Sequence, residues 1–288
     1  MSIITLTTAT YSNCGQMITT AAKELNYDIL GNEVIDLAAK EFNVSKNKIE
    51  QALYKAPAYA GRVHPDKNKY ITYLQTVLIR CFLKNNIIYY GPAGFLLVRG
   101  ISHMFNVRII ANIKDRIQQM MEIEGISSNA AEISILKNDE EFSKWSDYIF
   151  KADISDPNFY DLVIDLDKMN EQGAIKLIVN AILSKRYKLN RFSYNCLKDL
   201  ELSLTLKSRL LDIDPRVMVY VKGEKIFVDT ICLKEDSERR INQIKSMTDE
   251  VFDHRGRDED HISKSPKPVI ERIRVIEDYF ETILSKYS

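Results

Sequence analysis

Apolar positions along the chain alternate between strand-like and helix-like spacing, and the alternation starts at once. Residues 3–7 (IITLT) form a short run rich in β-branched side chains, the pattern of a buried strand. A polar turn over 9–15 follows, and Met17, Ala21, Ala22 and Leu25 then recur at helical spacing. The pattern predicts helices over 34–42 and 46–54, a loop over 56–69 and a helix over 70–83. It predicts a strand at 87–90 (IIYY) and another at 107–112, then helices over 115–123, 130–136 and 139–150, with Ser127 or Ser128 as a cap. A strand at 160–166 and a helix over 170–189 complete this stretch. After residue 190 the texture changes. A helix over 196–211 precedes two strands, 217–221 and 225–230, joined by a Lys-Gly-Glu turn that signals a hairpin, and a charged helix over 236–247 follows. Residues 254–267 read as a polar linker. Residues 268–287 read as an amphipathic helix with Val269, Ile270, Ile273, Ile276, Tyr279 and Phe280 on its apolar side.

Strands that alternate with helices predict an α/β fold, a parallel sheet flanked by helices, followed by a smaller α+β C-terminal module. The expected division is 1–190 for the α/β domain, 191–253 for the small module and 254–288 for the linker and last helix. Ligands of such sheets bind beyond the carboxyl ends of the strands, so the turns after Thr7, Tyr90 and Asn112 are the places to search.

Composition narrows the function classes. Forty basic and forty acidic side chains cancel, so no global field collects nucleic acid or anionic lipid, and any anion site is local. No nucleic-acid partner is expected. The four cysteines are scattered without a CxxC pair, which argues against a zinc ribbon or a redox dithiol. The opening residues lack a basic and then apolar leader pattern, and the longest apolar stretch is interrupted by Gly91, Pro92 and Gly94. A cytoplasmic protein with no transmembrane segment is the expectation. His64 with Asp66 is a weak metal pair and is better explained as loop; the other histidines carry no ligand spacing.

The order of segments resembles the bacterial cytidylate-kinase-like family, of the P-loop nucleoside-monophosphate-kinase fold, over roughly residues 1–185. The resemblance rests on ITLTTATYSNCGQMITTAAKELNYDIL, on NEVIDLAAKEFNVSKNKIEQALYKAP, on IIYYGPAGFLL, on VRIIANIKDRIQQMMEIEGISSNAAE and on DPNFYDLVIDL. It implies that the first loop wraps donor phosphates with glycine backbone amides and that basic side chains surround the transferring group, with ATP and Mg²⁺ as co-reactants in an active member.

Against that pattern the chain departs at several points. Thr8 stands where an arginine is expected, and Tyr11, Ser12, Asn13 and Cys14 occupy the GSGG positions. A tyrosine does not freely adopt the positive φ that glycine does, so the loop is expected to lose the phosphate nest. The acid–base pair expected near residue 30 is Gly31, Asn32 and Glu33. Pro92, Gln119 and Phe142 replace three further arginines, while Arg116 remains. The resemblance leaves Ser12, Asn13, Cys14, Gly15, Gln16 and Arg116 as the candidate nucleotide-binding residues, with no catalytic residue or metal ligand assigned. Arg116 is read either as a phosphate ligand or as a surface arginine paired with Asp115 or Glu122. Cys14, at a helix N-terminus, is expected to have a lowered thiol pKa. Asp165 is expected to cap the following helix, and Trp145, Tyr89 and Tyr90 to be core.

The segment LKSRLLDIDPRVMVYVKGEKIFVDT is similar to the small BON domain, though Asp229, Thr230 and Ile231 stand where its glycine is expected. Three functions follow from these readings. The first is a catalytically degenerate pseudokinase that binds a nucleotide or phosphate ligand as a sensor or regulator. The second is an active nucleotide or small-molecule kinase in which Arg116, Lys114, Lys137 and Lys144 substitute for lost cations. The third is an interaction or scaffold protein, for which an apolar stripe left open at 268–287 would recruit a partner or a second copy in a homo-oligomer.

Overall fold

The computed structural model describes residues 2–12, 14–54, 65–91, 94–258 and 268–277. Five parallel strands form the main sheet: β1 (Ile3–Thr8), β2 (Asp28–Leu30), β3 (Ile87–Tyr90), β4 (Met104–Ile110) and β5 (Leu162–Asp165), in the order β2-β3-β1-β4-β5. The central strand β1 is buried on both faces, so its sequence does not alternate in polarity but runs through β-branched and apolar residues, with Thr5 and Thr7 buried too. Alternate side chains of the sheet feed two cores. Ile4, Leu6, Ile88, Phe105, Val107 and Ile109 face α1 (Gly15–Leu25) and α8 (Glu171–Ile182). Ile3, Ile87, Tyr89 and Met104 face a layer built from α2 (Glu33–Glu41), α3 (Lys46–Tyr54), α4 (Pro65–Leu83) and the end of α7 (Ser128–Phe150).

Two short elements complete the frame. The four-residue α5 (Gly94–Leu97) follows β3, and α6 (Ile113–Glu124) pairs with α7 as a helical hairpin that reaches the turn after β1. Gly91 and Gly94 flank the buried Tyr89 ring, where a Cβ on either would come within 2.5 Å or 2.4 Å of the ring atoms. The chain after β3 therefore requires glycine for packing, independently of any ligand. Trp145 is fully buried and donates its indole N–H to the Ala52 carbonyl at 2.8 Å, which fixes α7 against α3.

The second sheet holds β6 (Met218–Lys222), β7 (Lys225–Cys232) and β8 (Val269–Glu277), with β6 antiparallel and β8 parallel to β7. It packs on α9 (Arg191–Leu210) and α10 (Ser237–Asp258). Helix α9 belongs to both layers. Its Leu197 and Leu204 enter the α/β core, while Leu202, Leu206 and Leu210 enter the small one. Arg80 of α4 donates to Glu201 at 2.9 Å and to Thr205 at 2.8 Å, and Thr76 donates to the Leu204 carbonyl at 3.3 Å.

The structure corrects several expectations. Residues 269–277 form a strand, not the start of a helix, and Ile270 and Ile273 pack on the small core, so this part of the stripe is not an open helix face. A register shift beside Ile226 and Phe227 explains the misleading spacing. One extra residue places Ile270 and Ile273 on the same face, which imitates a helical i,i+3 repeat. Tyr279 and Phe280 lie outside the described residues. The two helices expected over 130–136 and 139–150 are one, α7, and β4 begins earlier than expected, at Met104. Strand β2 and helix α5 were not expected from the pattern, being too short to show a period. Of the predicted loop, residues 56–64 lie outside the described residues and 65–69 open α4.

Candidate functional site

The turn between β1 and α1 lies where the strand order departs in both directions from β1, the position at which sheets of this kind hold ligands. Thr10 and Tyr11 lead out of the strand. Tyr11 adopts φ 58°, the left-handed conformation, against the expectation that a tyrosine there would abandon it. Its side chain explains how. The ring packs on the cluster of Met120, Ala131 and Ile135 between α6 and α7, and its hydroxyl donates to Glu124 at 3.1 Å. Contacts to the helical hairpin thus offset a backbone cost of about 1–2 kcal/mol. Asn13 lies outside the described residues.

Arg116 is neither a free phosphate ligand nor a surface residue paired with Asp115 or Glu122. It is buried, and its guanidinium grips Asp139 of α7 with two bonds of 2.8 Å. Two further donors go to the turn: Nε to the Thr10 carbonyl at 2.8 Å and Nη2 to the Thr10 hydroxyl at 3.0 Å. A bidentate carboxylate pair of this kind is among the stronger polar contacts in proteins. Arg116, Asp139, Thr10 and Tyr11 together tie the hairpin down onto the turn. The sequence reading singled out Arg116 but missed Asp139 and the structural part of Tyr11. The arginine–aspartate contact bridges two helices across 23 positions, which helical spacing does not reveal.

Ser12 and Cys14 bond each other locally. Their Oγ and Sγ lie 3.1 Å apart, and the Cys14 thiol also donates to the Ser12 carbonyl at 3.3 Å. Burial pushes the Cys14 thiol up, opposing the expected fall; the Ser12 bond lowers it less, and the nearby Glu171 carboxylate raises it further. Cys14 is therefore a packed small side chain, not an activated thiol. Gly15 and Gln16 open α1 and are exposed. The first turn of α1 holds no acidic residue, and a Cβ at Gly15 would meet nothing within 4 Å. Open space therefore faces the positive end of an eleven-residue helix.

Lys114 is exposed in the first turn of α6 and makes no ion pair among the described residues, whereas the other candidates are taken up elsewhere. Lys137 pairs with Glu141 at 3.9 Å and Lys144 with Glu140 at 2.5 Å, both along α7. Asp165 does not cap α8; it accepts the Asp167 N–H at 3.0 Å in a turn, and Asn170 is the cap, accepting from Gly173 at 2.8 Å. His64 lies outside the described residues, and among the described residues no group of His, Cys, Asp and Glu could hold a metal ion. Trp145 and Tyr89 are core, as expected. The donors at the turn do not suit a triphosphate with its metal, because the guanidinium brought there is occupied by Asp139 and Thr10. One concave surface, about 400 Å³ between α2 and α4, holds Arg80 against Glu41 and Glu201 and lies apart from the turn.

A sequence model of the cytidylate kinase-like family matches residues 3–168. Among solved structures, an uncharacterized protein from Eubacterium ventriosum is 16% identical, with 64% of this chain and 100% of that chain covered and a TM-score of 0.49. The shikimate kinase from Bacteroides thetaiotaomicron is 10% identical over 63% of this chain and 96% of its own, with a TM-score of 0.38. The shikimate kinase from Acinetobacter baumannii, in complex with shikimate, is 11% identical over 65% and 96%, with a TM-score of 0.37. No curated protein matches the chain in sequence. Among the described residues no helix is long and apolar enough to cross a membrane.

Proposed function

The chain belongs to the cytidylate kinase-like family, and from that premise we propose that it binds a nucleotide or related phosphate ligand without transferring the phosphoryl group, as a sensor or regulator. One observation carries the reading: Arg116, the arginine retained at the turn, is engaged by Asp139 and Thr10. Phosphoryl transfer depends on cations placed around the migrating group. With four of its five N–H donors engaged and its charge paired with Asp139, this guanidinium has little left for that stabilisation. Binding has separate support, since the N-terminus of α1 faces open space and its first turn carries no acidic residue of its own, the Glu171 carboxylate near Cys14 being the one that opposes an anion there. The candidate ligand residues are Ser12, Asn13, Gly15 and Gln16, acting through backbone amides, with Cys14 buried beneath them and Arg116 holding the turn in shape.

We read the chain as an α/β unit to about residue 190 followed by a BON-like module, with α9 shared between them. The helix–hairpin–helix order of α9, β6, β7 and α10 supports that second assignment.

Calorimetric titration with common nucleoside mono- and triphosphates tests the function. Binding to the native chain and the loss of one binding site in Gly15→Asp is the expected result, because the new carboxylate opposes an anion while suiting the helix dipole. Absence of binding by the native chain to every nucleotide tried overturns the proposal.

A further inference from the structure

The small sheet covers one face with α9 and α10 and leaves the other open. Along β7, Ile226, Val228, Thr230 and Cys232 are buried, while Lys225, Phe227, Asp229 and Ile231 point away from the core. Tyr220 stands opposite Phe227 in the ladder, with ring centroids 6.1 Å apart. The Arg272 guanidinium of β8 lies 5.7 Å from the Phe227 centroid.

Helix α9 adds the remaining wall. It runs along the edge of β6, where Gly223 N–H donates to Asp199 at 2.9 Å and Val221 N–H to Ser203 at 2.9 Å. Lys207 is the next residue on that stripe. Together Lys207, Met218, Tyr220, Phe227, Asp229 and Arg272 line a groove of about 590 Å³. That volume lies within the range of small-ligand sites.

The charges in this groove are not balanced. The Lys207 ammonium makes no hydrogen bond or ion pair among the described residues, although burial pushes its pKa down. Arg272 approaches Asp229 only at 4.0 Å, and Asp229 is already gripped by Arg274 at 3.0 Å and 2.5 Å. Lys225 pairs with Glu271 at 3.1 Å. Two cations with bonding capacity thus flank a floor of two aromatic rings.

We propose that this groove is a second ligand site, taking a nucleoside monophosphate with its base on Tyr220 and Phe227 and its phosphate between Lys207 and Arg272. The aromatic floor supplies stacking, which accepts any base. Asp229 provides an acceptor for an amine or hydroxyl at the rim. A single nucleotide fits better than a nucleic-acid strand. The neighbouring cations Arg274 and Lys225 are paired, so the groove does not continue as a line of available charges for successive phosphates. The site lies apart from the turn after β1 and goes beyond the function proposed there. Like that turn, it is a local anion site on a chain of zero net charge.

Calorimetry on the full chain carrying Gly15→Asp, which disables the turn, tests the groove in isolation. The probes are CMP, AMP, inorganic phosphate and hexauridylate. The expected result is one site for CMP and AMP, weakened about tenfold or more by Tyr220→Ala and by Lys207→Met. A thermal melt of each variant establishes that it is folded, and Arg272→Gln serves as a third probe if either fails to fold. The proposal is overturned if the Gly15→Asp chain binds neither nucleotide, or if folded groove variants bind as well as their parent. Inorganic phosphate binding as tightly as CMP also overturns it, as does hexauridylate binding far more tightly per nucleotide than CMP. Loss of one of two sites on Gly15→Asp bears on the turn; loss of the other on Lys207→Met bears on the groove.

Discussion

Arg116 and Lys207 each bring a positive charge to a polar concavity, one at the turn after β1 and one at the open face of the small sheet. Both are largely buried. The Arg116 guanidinium has four hydrogen bonds, to Asp139 and Thr10, whereas the Lys207 ammonium has none among the described residues. The contrast teaches that a cation's position relative to a fold's ligand site says little until its bonds are counted. The arginine standing where a kinase would need one is part of the scaffold. The lysine on a module outside the family match retains capacity for an anion.

That contrast predicts opposite signs for removal of the two charges. Arg116→Ala should destabilise the chain by about 2 kcal/mol, because Asp139 and the Thr10 carbonyl lose charge-assisted bonds in a partly buried setting. Urea unfolding measures it, and a change within about 0.5 kcal/mol, the usual range for a surface substitution, would mean that the clasp does not hold.

The backbone of the same turn comes next in size. Tyr11→Gly and Tyr11→Ala both remove the ring from the hairpin cluster, but only glycine accepts the left-handed conformation without cost. The glycine variant should be the more stable of the two by about 1 kcal/mol. Equal stabilities in paired urea melts would contradict the φ of 58° at this residue.

How much of this was legible in the chain depends on what each residue's conformation answers to. Strands β1 and β3 were readable as apolar runs because the central sheet buries both their faces. The β6–β7 hairpin was readable from its Gly223 turn. The final strand was misread because a bulge converted its period, and no local signal distinguishes that from a helix. The family resemblance singled out Ser12, Cys14, Gly15 and Gln16 after β1, and Arg116 on its helix. The meaning of Arg116 was not readable, since Asp139 lies on another helix. Nor was that of Tyr11, whose backbone strain is offset by contacts more than a hundred positions away. The groove at Lys207 escaped for a related reason: α9, β7 and β8 contribute to it from distant segments.

Lys207→Met should stabilise the chain slightly, by about 0.5 kcal/mol, because it replaces a desolvated ammonium with an apolar group of similar length. Destabilisation in the same melts would reveal a bond to Lys207 and undo the comparison. The smallest effect concerns reactivity. With its thiol pKa raised by burial, Cys14 should react with iodoacetamide at pH 8 more slowly than the half-buried Cys196, as read by peptide mass spectrometry. Preferential labelling of Cys14 would indicate a turn more open than the one described.

The most direct test of the central claim is a single-turnover assay with the purified chain in excess over γ-labelled ATP, with CMP and magnesium present. Occupied by Asp139 and Thr10, Arg116 contributes nothing to transfer, so no labelled CDP should form above the rate without protein. Rapid formation of CDP that disappears in Arg116→Ala would contradict the account.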